Sequence, residues 1–239
     1  MFKTAITVAS LLMSTAAFAA TDCSALPNHG TLTSALTAAI GNNGGFNFPM
    51  WATVINRSGH VCAVTKTGDA WPGSRVISAQ KANTANAFST ASVALSTANL
   101  FSAVQPGGSL YGLQHSNPVN TLVAYRGNSD NYGTAQDPMN GFKIGGVNVF
   151  GGGLALYAAD GKTVVGALGV SGDTSCADHN IAWKMRAALG FTKVPGGVSA
   201  TGDDNIVYDI TNGASAGGFG HAKCGANVAA PPTNVTKAQ

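Results

Sequence analysis

The sequence predicts an α+β domain, a single antiparallel sheet covered by helices, and three observations carry that expectation. Two hairpin patterns occur, "WATVIN" with "HVCAVTK" around Arg57-Ser58-Gly59, and "LALYA" with "TVVGALGV" around Asp160-Gly161. Each hairpin is followed by a Gly-Asp turn, Gly68-Asp69 or Gly172-Asp173, and then by a helical pattern. A doubled hairpin-then-helix unit builds one antiparallel layer; alternating parallel βαβ units would need a helix after every strand. Asp-Gly favours the φ > 0 geometry of a tight hairpin turn.

Three segments carry helical spacing. In "TLTSALTAAIG" the apolar positions Leu32, Ala35, Leu36, Ala39 and Ile40 fall on one face, and Gly41 suits the stop. The stretch from Ser74 to Ser92 places alanines and Phe88 on its turns, and such small side chains let a helix lie close to a sheet. From about Asp178, the positions Ile181, Ala182, Met185, Ala188 and Leu189 form a third stripe, with Gly190 at C′. Between the two units, residues 95–150 are rich in Gly, Asn, Ser and Pro, the composition of a functional loop region or an insertion. After Val194 only "NIVYDI" reads as a strand, and "AAPPTNVTKAQ" reads as a loose tail.

Residues 1–19 have the three-part plan of a secretory signal peptide: Lys3, a short apolar run, and Ala17-Phe18-Ala19 as a small-x-small cleavage pattern. The run is too short for a permanent membrane span. The expected location is periplasmic or secreted. Charged residues make up 10% of the chain, against roughly 25% in soluble domains. Loss of Lys3 with the leader takes the formal charge from +3 to +2. That balance, without any basic run, excludes a nucleic-acid footprint.

Cys23, Cys62, Cys176 and Cys224 all lie beyond the leader, and an even count in an oxidising compartment favours two disulfides. Three pairings exist. Cys23–Cys62 with Cys176–Cys224 is preferred, because it staples both ends of the chain onto the body. There is no C-x-x-C for redox or zinc chemistry, and no C-x-x-C-H for covalent haem.

Catalytic constellations are scarce. Asp173, Asp178 and His179 read as turn and helix-start residues ahead of an acid–base cluster, since a carboxylate at a helix start meets free N–H groups and the positive dipole end. Gly213-Ala214-Ser215-Ala216-Gly217 matches the G-x-S-x-G nucleophile elbow, but no Asp or Glu follows Ser215 to orient a histidine. Gly145-Gly146 and Gly151-Gly152-Gly153 fail the dinucleotide spacing. Five histidines remain: His29, His60, His115, His179 and His221. No pair has the i, i+4 spacing of a helical zinc site, yet haem iron needs only one or two axial side chains. His115 and His221 lie in glycine-rich loops beside Tyr111 and Phe219, surroundings that suit a flat apolar ligand and equally an ordinary loop, the reading favoured for any one histidine taken alone.

The helix at 31–41, "WATVINRSGHVCAVTKTGDAWPGSRVISAQKANTANAF" and "IGGVNVFGGGLALYAADGKTVVGALGVSGDTSCADHNIAWK" together resemble the GlcG/HbpS-like family, also seen as the carboxy-terminal domain of PduO-type proteins. The resemblance covers roughly 31–190, with 95–140 matched poorly. It sets a family domain over 20–192 with a loop-rich insertion, followed by a Gly-rich extension and tail over 193–239. It implies a profilin-like α/β sandwich with a five-stranded antiparallel sheet, homo-oligomerisation, and haem binding with a role in haem or iron handling or extracytoplasmic sensing. No axial ligand maps across by motif. The haem-binding candidates are therefore His115, His221, His60 and His179, with Arg75 for a propionate or as a charge near a helix start. The rival readings are an enzyme acting on a small organic metabolite in the sheet–helix cleft, and a cofactor-free oligomeric accessory or binding protein.

Overall fold

The structure, a computed structural model, describes residues 22–225, 228–232 and 234–238. The leader expected at 1–19 lies outside the described residues. Helix α1 (His29–Ala39) precedes the first hairpin, β1 (Trp51–Asn56) and β2 (Val61–Lys66), and helix α2 (Pro72–Phe88) follows it. Short helices α3 (Leu113–Ser116) and α4 (Thr121–Ala124) interrupt the loop-rich segment. The second hairpin, β3 (Gly153–Tyr157) and β4 (Val164–Ser171), leads into α5 (Ser175–Ala188). Two small ribbons finish the chain: β5 (Lys193–Val194) pairs in parallel with β8 (Thr236–Lys237), and β6 (Ile210–Thr211) pairs with β7 (Ala214–Ser215).

The main sheet runs β2-β1-β4-β3, antiparallel throughout. Six residue pairs, from Trp51↔Ser171 to Asn56↔Gly166, join the two hairpins at its centre. This is the predicted doubling, but with four strands where the family resemblance implied five. The segment nearest to a fifth strand makes only single bridges, His60↔Lys143 and Val119↔Gly145. Gly145 (φ +63°) and Gly146 (φ +79°) turn the backbone there into a region no pleated strand can use.

Strand alternation splits the core into two layers. Ala52, Val54, Leu154, Leu168 and Val170 pack with Leu32 and Leu36 of α1 and with Ile181, Trp183 and Met185 of α5. Ile55, Val64 and Ala167 face α2, with Ala79, Ala82 and Ala85. The close approach of α2 depends on Gly153 and Gly169, which are partners across β3 and β4. A Cβ on Gly169 would lie 1.9 Å from the Ser78 carbonyl oxygen, and one on Gly153 would lie 2.4 Å from that of Lys81.

Two helices depart from the expected ends: α2 starts two residues before and stops four residues short of the stretch read for it, Ser74 to Ser92, and α5 starts early. Pro72 opens α2, where its missing N–H costs nothing. Helix α5 closes in a Schellman motif: Phe191 N donates to Arg186 O (3.1 Å), Gly190 N donates to Ala187 O (3.0 Å), and Gly190 has φ +84°. Its start lies three residues earlier than read from the apolar stripe. Thr174 is the N-cap, and its hydroxyl accepts from Ala177 N. The loose tail expected at the end is instead pinned. Trp183 Nε1 donates to Pro232 O (3.2 Å), Asn205 Nδ2 donates to Pro231 O (2.8 Å), and Val228 and Val235 are buried. A tryptophan N–H and two apolar side chains gain partners there that solvent would not match.

Both disulfides join the expected cysteines. Cys23–Cys62 and Cys176–Cys224 have Cα separations of 5.7 and 6.0 Å, within the ordinary range. The first ties the amino-terminal segment to β2, and the second ties the extension to the start of α5. Among the described residues no helix is long and apolar enough to cross a membrane.

Candidate functional site

Four buried polar groups with perturbed environments, Lys81, Asp178, His179 and His221, gather around the amino-terminal end of α5. Asp178, read from the sequence as a helix-start carboxylate, sits in the first turn and does more than satisfy that turn. Its Oδ1 accepts from Asp173 N (2.9 Å), and its Oδ2 forms a buried ion pair with Lys81 Nζ of α2 (2.6 Å). Lys81 also donates to Val170 O (3.0 Å). Burial pushes the Asp178 carboxyl up to about 6, opposed by the Lys81 charge, and the same burial lowers Lys81. Asp173 is structural as expected: its carboxylate accepts from the N–H groups of Phe46 (3.0 Å) and Phe48 (3.2 Å).

One residue on, His179 is fully buried. Its Nε2 lies 3.1 Å from Ile206 N and 3.3 Å from Asn205 Oδ1, while Nδ1 is buried without a hydrogen-bond partner. Burial, then the Arg186 and His221 charges, push it down to about 3. His221 arrives from the extension, 2% exposed, with its ring against Phe101 at a centroid distance of 4.7 Å. Its Nδ1 pairs with Ala222 O (2.7 Å), while Nε2 is buried and has no hydrogen-bond partner. Burial also lowers the His221 ring.

Phe101 and Ala222 lead to a cleft of about 650 Å³ between the 101–109 loop and the β6–β7 ribbon. Gln105, Ser109, Ile210 and Ser215 contribute to its walls. That volume falls among those of small-molecule and cofactor sites. The wall residue Phe101 carried no signal in the sequence, because its partner His221 is 120 positions away in the chain.

The other candidates are dispersed. His115 is exposed on α3. His60 is half-buried beside the β1–β2 turn, where its N–H meets Asn56 Oδ1 (2.9 Å) and its Nδ1 has no partner. Arg75 does not line the cleft; the propionate contact considered for it gives way to a structural one. It is 1% exposed, its Nε and Nη2 grip the Asp137 carboxylate, Nη1 donates to Ala124 O (2.7 Å), and its guanidinium lies 3.6 Å over the Tyr132 ring. A bidentate pair of that kind anchors the 95–140 segment to α2. Ser215 Oγ accepts from Gly220 N (2.9 Å), and Ser171 closes β4 opposite Trp51. Among the described residues neither serine is hydrogen-bonded to a histidine, and no triad forms.

Solved structures to which the chain is similar include the Klebsiella pneumoniae protein ORFY, 25% identical, covering 68% of this chain and 90% of that one at a TM-score of 0.45. A PduOC–haem complex is 26% identical, covering 69% and 95% at 0.48, and HbpS is 18% identical, covering 69% and 90% at 0.41. No curated protein matches the chain significantly. The family model described as "Haem degrading protein HbpS-like" matches residues 28–187, the span of both hairpins and of α1, α2 and nearly all of α5. The chain belongs to the HbpS-like family.

Proposed function

We propose that this chain is an extracytoplasmic haem-binding protein that takes the porphyrin into the cleft between the 101–109 loop and the β6–β7 ribbon, with His221 as the axial ligand. The observation that carries the reading is the buried, unpartnered Nε2 of His221 directly behind a cleft wall. A buried ring nitrogen without a partner has lost its water and gained nothing in return, a cost that coordination to iron removes. Phe101 offers a flat apolar face, while Ser109, Gln105 and Ser215 supply polar groups for the porphyrin edge. Bound haem would bring the iron chemistry; the chain's own groups orient the ring and exclude water. Phe101 covers His221, so ligation requires that ring to turn aside.

The leader at 1–19 and the two disulfides support a periplasmic or secreted location. Self-association is part of the same reading, and its surface is argued at the end of the Discussion.

Hemin titration of the oxidised chain, followed in the Soret region, tests the site. Wild type is expected to give a shifted, saturable band, and His221→Ala to lose that shift. His29→Ala, His60→Ala and His115→Ala should keep it. Phe101→Ala is expected to speed hemin uptake by opening the path to the ring. A His221→Ala protein with the wild-type spectrum overturns His221 ligation, and unchanged spectra in all five His→Ala variants remove histidine ligation altogether.

A further inference from the structure

The Cys176–Cys224 disulfide lies against His221. One ring nitrogen of His221 and both sulfurs are all within 4.8 Å of one another. We infer that reduction of this disulfide converts the spot into a metal site, two thiolates and one imidazole, that takes a borderline or soft cation such as Zn²⁺. The inference goes beyond haem binding and does not rest on it: the two share His221 but belong to different redox states of the chain.

Several features of the surroundings favour it. Two thiolates and an imidazole are a donor set that zinc prefers, in tetrahedral geometry with room for a fourth ligand. The separation is already close to that of ligands around one ion, so small side-chain rotations bring three donors to a common centre. Cys176 is the second residue of α5, a 14-residue helix, and its own N–H points at Cys224 Sγ (3.2 Å). Ser175 Oγ is 3.4 Å from the same sulfur. These groups, with the positive end of the helix, stabilise negative charge on that sulfur once the bond is broken. Cys176 and His221 are buried while Cys224 is half-exposed, which leaves one side open to reductant, ion and a fourth ligand. His221 Nε2 has no hydrogen bond to give up. The H-x-x-C spacing of His221 and Cys224 is visible in the sequence, but Cys176 is 45 residues before His221 and only the fold adds it.

The chemistry balances with a dithiol reductant. Two electrons and two protons pass from it to Cys176 and Cys224, and it leaves as its own disulfide. The cation then displaces the two thiol protons as it bonds to both sulfurs and to the ring nitrogen.

The test uses the chain without haem, reduced with a phosphine that does not compete for the ion, and Co²⁺ as a spectroscopic stand-in for Zn²⁺. Reduced wild type is expected to show a sulfur-to-metal charge-transfer band and visible ligand-field bands that saturate at one equivalent. The oxidised chain should show neither. His221→Ala should weaken Co²⁺ binding at least tenfold, and Cys224→Ser should abolish the charge-transfer band. Cys23→Ser/Cys62→Ser should retain it. Because reduction can itself loosen the extension, thermal unfolding of the reduced chain is followed with and without Zn²⁺; the ion should raise the midpoint of wild type and leave that of Cys176→Ser unchanged. No band in reduced wild type, a band that survives loss of Cys176 and Cys224, or a midpoint that Zn²⁺ does not move would each overturn the inference. None of these outcomes bears on the hemin titration, which is run on the oxidised chain.

Discussion

At the scale of single residues, His179 makes the clearest commitment to pH. The folded chain keeps this ring neutral down to about 3, against an ordinary value of 6.5. Between those values the unfolded chain binds a proton that the folded chain refuses. Stability from this group is therefore complete above 6.5 and falls as the pH drops through the window, by about 1.4 kcal/mol per pH unit. Asp178 acts in the opposite sense. Raised to about 6 from 3.8, it takes up its proton first in the folded chain, so its share of stability grows as the pH falls from 6 towards 3.8. A comparison that removes only His179 separates the two. His179→Gln keeps an oxygen for the Ile206 N–H, and urea unfolding at pH 7 and pH 4 should show wild type losing about 3 kcal/mol more than the variant over that range. Equal losses would mean that the histidine titrates normally. The sequence marks His179 only as a lone histidine beside an aspartate; its hydrogen-bond partners, Asn205 and Ile206, come from the extension. Among the described residues the buried ion pairs Arg75–Asp137, Lys81–Asp178 and Arg186–Asp204 are equally silent in the sequence, because each joins residues far apart in the chain.

At the scale of elements, what the sequence spells out is what short-range periodicity controls. The two hairpins, their turn glycines and the body of all three long helices are legible because each rests on spacing within a dozen residues. The start of α5 is not, since Thr174 caps through its hydroxyl and the apolar stripe begins only at Ile181, two turns later. The sheet width is not either: whether residues 143–149 join as a strand depends on the paired φ > 0 glycines, whose effect on pairing has no period to read. The contact between α2 and the sheet shows the reverse, a tertiary fact foreshadowed by composition. Its alanines meet Gly153 and Gly169, so the helix backbone nearly touches the strands. Gly169→Ala places a methyl group 1.9 Å from the Ser78 carbonyl oxygen, and backbone on both sides must move. A loss of at least about 2 kcal/mol is expected in chemical denaturation, as for an overpacked core. Gly73→Ala, in the first turn of α2 with open space around the new methyl, should be neutral or slightly stabilising. If both variants unfold at the wild-type midpoint, α2 is not held against the glycines as described.

At the scale of the whole molecule, the surface most in need of a partner is an aromatic row beside the start of α2. Phe46, 68% exposed, stacks on Phe48 at 5.3 Å, and Phe48 meets Trp71, 56% exposed, at 5.1 Å. The row is held outward by design of the backbone: Asp173 fixes the N–H groups of Phe46 and Phe48, and Asn47 between them sits at φ +60°. A chain with so few charges has little electrostatic repulsion to keep copies apart. These features support a second copy of this chain as the occupant, the self-association already included in the proposed function. Burying each ring contributes about 2 kcal/mol, so replacing two of them costs about 4 kcal/mol, or roughly a thousandfold in the dissociation constant. Phe46→Ser/Trp71→Ser, followed by light scattering over a dilution series, should therefore dissociate at concentrations where wild type stays associated. The hemin spectrum of the same variant should match wild type, because the row does not line the 650 Å³ cleft. Identical masses for variant and wild type at every dilution would place the interface elsewhere on the surface, and leave the aromatic row to a ligand of a different kind.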